Sequence, residues 1–142
     1  MDNFMSKHII IPLPSKDFDP TEVAITWQVL VDQGFKVSFA TKDGGRAYCD
    51  PMMISGEGLE PWGWVPGLKK IRIIGLMLRA SASSRGAYKK MEQDAAFLHP
   101  KKYSQLKIDD YDGLALPGGH ASGMRPYLED KTLQSFVADF FE

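Results

Sequence analysis

Near the end of the sequence the run Leu114-Ala-Leu-Pro-Gly-Gly-His-Ala-Ser-Gly-Met124 places a glycine pair, Gly118 and Gly119, directly after a short apolar stretch. Glycines at the end of a strand let the backbone approach a ligand closely and, ahead of a helix, turn N–H groups toward an anion. The amides of Gly119 and His120 are the candidate donors. Aimed at the oxyanion of a tetrahedral intermediate, each would contribute about 3 to 4 kcal/mol of transition-state stabilisation. Gly118 is the candidate for contact with the substrate itself. A glycine pair also serves as a tight strand-to-helix turn without chemistry, and spacing alone does not separate the two readings.

Glu22 is the second candidate. It closes Asp17-Phe-Asp-Pro-Thr-Glu22, the start of a helix, and so stands on the same rim as the glycines if both follow parallel strands. A carboxylate there could position a thiol or pass a proton. It could equally do no more than favour the helix dipole, a role that suits Asp17 and Asp19 better still. The His120 imidazole could be a general base or simply face solvent. Cys49 is the only thiol and is followed by Asp50; an acidic neighbour raises a thiol pKa, which argues for an incidental cysteine. His8 and His99 have no ligand cluster near them in sequence, so neither a metal nor a cofactor is implied.

The elements that must position these residues can be read in outline. Lys7-His-Ile-Ile-Ile-Pro-Leu13 is an apolar run suited to a strand buried on both faces. Asp19 as N-cap, Pro20 at the first helical position and Glu22 at the third start a helix that Gly34 stops. Phe35–Thr41 is a second strand, which makes the first forty residues a βαβ unit. From Asp43 to Gly67 glycine and proline recur without a period, and this reads as an irregular excursion in which Trp62 and Trp64 either line a pocket mouth or anchor packing. Ile71 to Leu78 reads as helix despite Gly75, and Ser84, Ala87, Tyr88, Met91 and Ala95 mark a further helix ending before Pro100. Tyr103 to Asp110 is a polar connector with a helical turn. Tyr111 to Leu116 is a third strand, and Leu133, Phe136, Val137, Phe140 and Phe141 give a terminal helix its apolar face, with Thr132 near its start.

Composition limits the partners. The 142 residues are 44% hydrophobic and 25% charged with a formal net charge of -1, which suits one globular domain and gives no basic surface for nucleic acid. The run Ile71 to Leu78 falls far short of the roughly 20 apolar residues of a membrane span. No signal-peptide pattern opens the chain, and the single cysteine argues for a reducing, cytoplasmic setting.

Asp17-Phe-Asp-Pro-Thr-Glu22 after the first strand, Thr41-Lys-Asp-Gly-Gly45 after the second, and Tyr111-Asp-Gly-Leu-Ala-Leu-Pro-Gly-Gly-His-Ala-Ser-Gly-Met-Arg125 resemble the ThiJ/PfpI superfamily, the class I glutamine amidotransferase-like fold. The resemblance implies an α/β domain over 1–142, a flavodoxin-like parallel sheet with helices on both faces, incomplete at its C-terminus, with a helical insertion over 44–100. It implies a cysteine-dependent hydrolase, or a glyoxalase- or deglycase-like enzyme, acting on reactive aldehydes, amides or peptides. The alternative is a non-catalytic stress-related chaperone or binding protein. Glu22 would contact the thiol and the Gly119 and His120 amides would form the oxyanion hole. The family's nucleophile elbow, usually Ala-x-Cys-His-Gly, has no counterpart in these residues, so the chain is expected to be inactive by itself. The third strand would keep an unpaired edge, to be covered by a homodimer partner or by a missing C-terminal segment.

Overall fold

In the computed structural model, residues 6–56, 64–66 and 80–142 are described. The expected helix over Ile71 to Leu78 and the setting of Trp62 lie outside them. His8-Ile-Ile-Ile-Pro12 forms β1, and Ile10 and Ile11 are 0% and 1% exposed. Successive strand residues point to opposite faces, so both faces of β1 are covered. The strand Lys36–Thr41 behaves alike, with Phe39, Ala40 and Thr41 buried in succession. Counting Lys16–Phe18 as β2, Lys36–Thr41 is β3, Tyr48–Cys49 is β4, Lys101–Lys102 is β5 and Gly113–Leu114 is β6. The main sheet is parallel with order β5-β3-β1-β6. The three strands read from sequence therefore lie second, first, third, in a flavodoxin-like α/β arrangement.

Between β1 and β3 runs α1 (Pro20–Asp32), with Asp19 as N-cap and Pro20 opening the helix. Gly34, in the left-handed region at φ 83°, turns the chain back into the sheet. The third strand is shorter than Tyr111 to Leu116. Two residues satisfy the ladder, though Asp112 N–H to His8 O and Ala115 N–H to Ile10 O extend the pairing at either end. Nothing among the described residues pairs with the outer edge of β6.

The excursion is more regular than its composition suggests. In its described part β4 pairs in parallel with β2, outside the excursion, as a separate two-stranded sheet, and Asp50 caps a short α2 (Pro51–Ser55). Trp64 is 84% exposed. The helix expected to run from Ser84 past Ala95 begins after an N-cap at Ser81 and ends at Met91. Asp94 then captures the Ala96 amide and starts a separate turn of helix, so these are α3 (Ala82–Met91) and α4 (Ala95–Leu98). The connector holds two 3-10 turns, Tyr103–Gln105 and Ile108–Asp110. Asp130 caps the terminal helix one residue before Lys131. Numbering Arg125–Leu128 as α5, it is α6 (Lys131–Phe140). Leu133 and Phe136 face the core as expected, but Phe141 lies beyond the helix and is 72% exposed.

Packing fixes these parts to one another. Helices α1 and α3 pack together, and Phe97 of α4 meets Phe39 and Phe18 edge-on at 5.4 and 6.2 Å between ring centroids. The Tyr103 hydroxyl donates to Leu13 O, tying the connector to the end of β1.

Candidate functional site

The loops that leave the carboxyl ends of β1 and β6 meet on one rim, where open α/β sheets place ligands. Asp19 holds the first loop. Its buried carboxylate accepts from Thr21 N–H at 2.7 Å and Glu22 N–H at 3.1 Å, filling the helix's free donors. Its own N–H donates to Gly118 O at 3.0 Å. Glu22, one turn on, is exposed, and its Oε2 accepts from Gly118 N–H at 2.5 Å. Two strands' worth of loop are thereby tied through one glycine, whose N–H and C=O are both engaged.

Glu22 and Gly118, both singled out in the sequence, are thus in direct contact. The N–H groups of Gly119 and His120 have no hydrogen-bond partner among the described residues, and Glu22 Oε1 has none either. The His120 side chain is exposed and unpartnered, which fits the solvent-facing reading of its imidazole. One expectation needs correction: the glycine pair does not open a helix. Ala121 stays extended, a 3-10 turn occupies Ser122–Met124, and regular helix begins only at Arg125. The amides of Gly119 and His120 therefore lie in a turn and not at the start of a regular helix.

Asp17 and Tyr127 were not singled out for this role. Asp17, read as a helix-start acid, instead adopts the left-handed conformation at φ 70°, and its Oδ2 accepts from Gly123 N–H at 2.9 Å. Aspartate tolerates this region better than most residues, which is the only trace in the sequence. Tyr127 is buried, its hydroxyl lacks a partner, and burial together with the Glu22 charge pushes its pKa up to about 12.

Cys49 belongs elsewhere. It lines a cleft of about 630 Å³ with Tyr48, Arg85, Tyr88 and Glu92. Burial is the main cause holding its pKa above the usual thiol value, opposed by Tyr88 and reinforced by Glu92 and Asp50. Among the described residues no group of three or more His, Cys, Asp or Glu could hold a metal ion, and no helix is long and apolar enough to cross a membrane.

Comparison with known proteins agrees with the fold. An uncharacterised protein of Schizosaccharomyces pombe, C14C4.04, is 28% identical over 132 residues, covering 92% of this chain and 43% of that protein. Among solved structures, the Rapid Encystment Protein 24 KDa of Francisella tularensis superposes with a TM-score of 0.61 at 14% identity, over 95% of this chain and 54% of its own. A protein designated APC35852 superposes with a TM-score of 0.58 at 22% identity, over 96% and 52%. The chain thus spans about half the length of the proteins it matches. The family model described as ThiJ/PfpI family-like matches residues 13–142, from the end of β1 through both loops of the site to the terminal helix, and the chain belongs to that family.

Proposed function

We propose that Glu22 and the glycine turn are the acid and oxyanion-binding half of a thiol-dependent site acting on reactive aldehydes, amides or peptides, in the manner of a glyoxalase, deglycase or amidase. The observation that carries this reading is the Gly118 N–H to Glu22 Oε2 bond at 2.5 Å. It orients the carboxylate while leaving Oε1 and the Gly119 and His120 amides unengaged. A thiol beside Glu22 would find an acceptor already in place, and a carbonyl oxygen over the turn would meet two N–H donors. Glu22 would take the S–H proton, the sulfur would add to the carbonyl carbon, and the amides would meet the charge on oxygen. This scheme calls for no metal or cofactor.

The nucleophile, on this reading, comes from polypeptide outside these 142 residues, either a segment that pairs with the free edge of β6 or a homodimer partner, in a cytoplasmic protein. Support comes from the placement of Cys49 in a separate cleft and from the chain's spanning about half of its relatives' length. The test is methylglyoxal consumption with lactate as product. No turnover is expected of the 142-residue chain. A longer form that includes a cysteine should turn over, and Glu22→Gln in that form should lower kcat about 100-fold. Turnover by the 142-residue chain refutes the assignment of the nucleophile, and an unchanged kcat in Glu22→Gln refutes that of the acid.

A second reading, binding of unfolded client chains without catalysis, is favoured by the exposed apolar residues Leu116, Leu128 and Phe141, at 48%, 61% and 72% exposure. Suppression of client aggregation that Leu128→Ser abolishes would favour it over the enzymatic reading.

A further inference from the structure

We propose that Asp17 is the positioning residue of the glycine turn, holding both of its ends so that the Gly119 and His120 amides stand where an anion can use them. The proposal rests on reading that turn as the oxyanion side of the site. Among the described residues Asp17 is the only one other than glycine with a positive φ, 70°. A side chain persists in that conformation only where its surroundings over-determine it. They do so here from two directions. On one side Lys16 and Phe18 are held in the β2–β4 ladder, whose register shifts between them, so Asp17 is the residue at the irregularity. On the other side Asp17 presents two groups to the turn.

The first group is its carbonyl oxygen, so near Gly119 that a Cβ there would come within 2.7 Å of it. The second is its carboxylate, which accepts from Gly123 N–H at 2.9 Å and would lie 2.3 Å from a Cβ at Gly123. A side chain at Gly119 would meet the Asp17 backbone, and one at Gly123 would displace the Asp17 carboxylate. The stretch from Gly119 to Gly123 is therefore bonded to Asp17 at its last residue and packed against the Asp17 carbonyl at its first, and the two amides without a partner among the described residues are the first two of that stretch. Asp17 touches neither of those amides. It acts by fixing the frame that carries them.

Three variants of the full chain separate the parts of this role. Asp17→Gly keeps the left-handed backbone but removes the acceptor, Asp17→Asn keeps both a tolerance for that backbone and an acceptor oxygen, and Asp17→Ala removes both. The readout is the amide resonances and hydrogen exchange of Gly119, His120 and Gly123. In Asp17→Gly the Gly123 amide should exchange at least about tenfold faster and the Gly119 and His120 resonances should move, as fits the loss of a hydrogen bond to a charged acceptor. Asp17→Asn should restore the wild-type pattern. If Asp17→Gly leaves the three amides unchanged, or Asp17→Asn loses them to the same degree as Asp17→Gly, the proposal is overturned. Where Asp17→Ala fails to fold, the other two variants still decide. In a form that turns over aldehydes, Asp17→Gly should lower kcat about 10- to 100-fold with KM nearly constant, as misplaced donors do. Absence of any turnover would sink the enzymatic reading while leaving the amide readout intact, so the two fail separately.

Discussion

Replacing Gly119 by alanine is the sharpest test of how tightly the turn is built. The added Cβ would lie 2.7 Å from Asp17 O and 2.9 Å from Met124 Cγ and Sδ. Met124 is an unbranched side chain that can change rotamer, although it is buried in the core cluster. The Asp17 carbonyl is backbone, held by the β2–β4 ladder on one side and by the carboxylate bond to Gly123 on the other. Relief must come from moving the turn. Overpacking of this kind costs about 1–3 kcal/mol, and displacing Gly118 weakens its bonds to Asp19 and Glu22, each net worth about 0.5–1.5 kcal/mol for an ordinary hydrogen bond. Glu22 is exposed, so its bond counts toward the lower end, and the expected loss is about 2–3 kcal/mol. Urea unfolding should report it as a lower midpoint with an unchanged slope. Gly86 is the control: it lies in α3, exposed, with nothing within 4 Å of an added Cβ, so alanine there should stabilise by about 0.5–1 kcal/mol. If Gly119→Ala stays within about 0.5 kcal/mol of wild type while Gly86→Ala behaves as expected, the turn has room and the steric reasoning is wrong.

Asp19→Ala should cost about 1–2 kcal/mol in the same measurement, because its carboxylate alone serves Thr21 and Glu22 N–H; a loss near zero would mean water replaces the cap. Alkaline titration followed at the phenolate band tests the buried tyrosines. Burial raises the Tyr127 pKa from 10.0 to about 12 and raises Tyr88 and Tyr103 further. A raised folded-state value means that the fold favours the protonated phenol. Stability is therefore fully present below the ordinary tyrosine value and lost as pH rises through the window up to the folded one. These phenols should ionise together with unfolding, and free ionisation near the ordinary value, with the fold intact, would contradict their burial.

The parts of this fold legible in the sequence are those fixed by local chemistry. Asp19, Pro20 and Gly34 mark the ends of α1 because a cap, a ring-locked φ and a left-handed turn each demand a particular residue type. The consecutive apolar residues of β1 mark a strand covered on both faces. What could not be read rests on contacts far apart in the chain. Asp17 looks like any helix-start acid until Gly123, more than a hundred positions away, supplies the N–H that gives it a role. The short β4 and β5 strands carry no periodicity of their own, since two residues are too few to alternate, and they exist because β2 and β3 offer them an edge. The helix break after Met91 is hidden in sequence for a different reason: the apolar spacing continues through Ala95, while the Asp94 side chain takes the Ala96 amide and starts a new turn. The free Gly119 and His120 amides fall in the same class as Asp17, since only the fold decides that no carbonyl comes to meet them.

The two incomplete features of this molecule adjoin one another. Among the described residues β6 lacks an outer neighbour, and the amides that lack partners there follow it by a few residues. Beside them, Leu116, Pro117, Leu128 and Val137 line an apolar groove of about 410 Å³ that also reaches Tyr127. A strand added in parallel to β6 would run toward the same rim, and its carboxyl end would arrive beside the turn. Glu22 is already bonded to Gly118, and Asp19 and Asp17 tie the two loops together through Gly118 and Gly123. On the function proposed above, the acid and the donors would be organised before a nucleophile arrives. That is the arrangement electrostatic preorganisation requires, because no reorientation of dipoles is left to be done when charge develops.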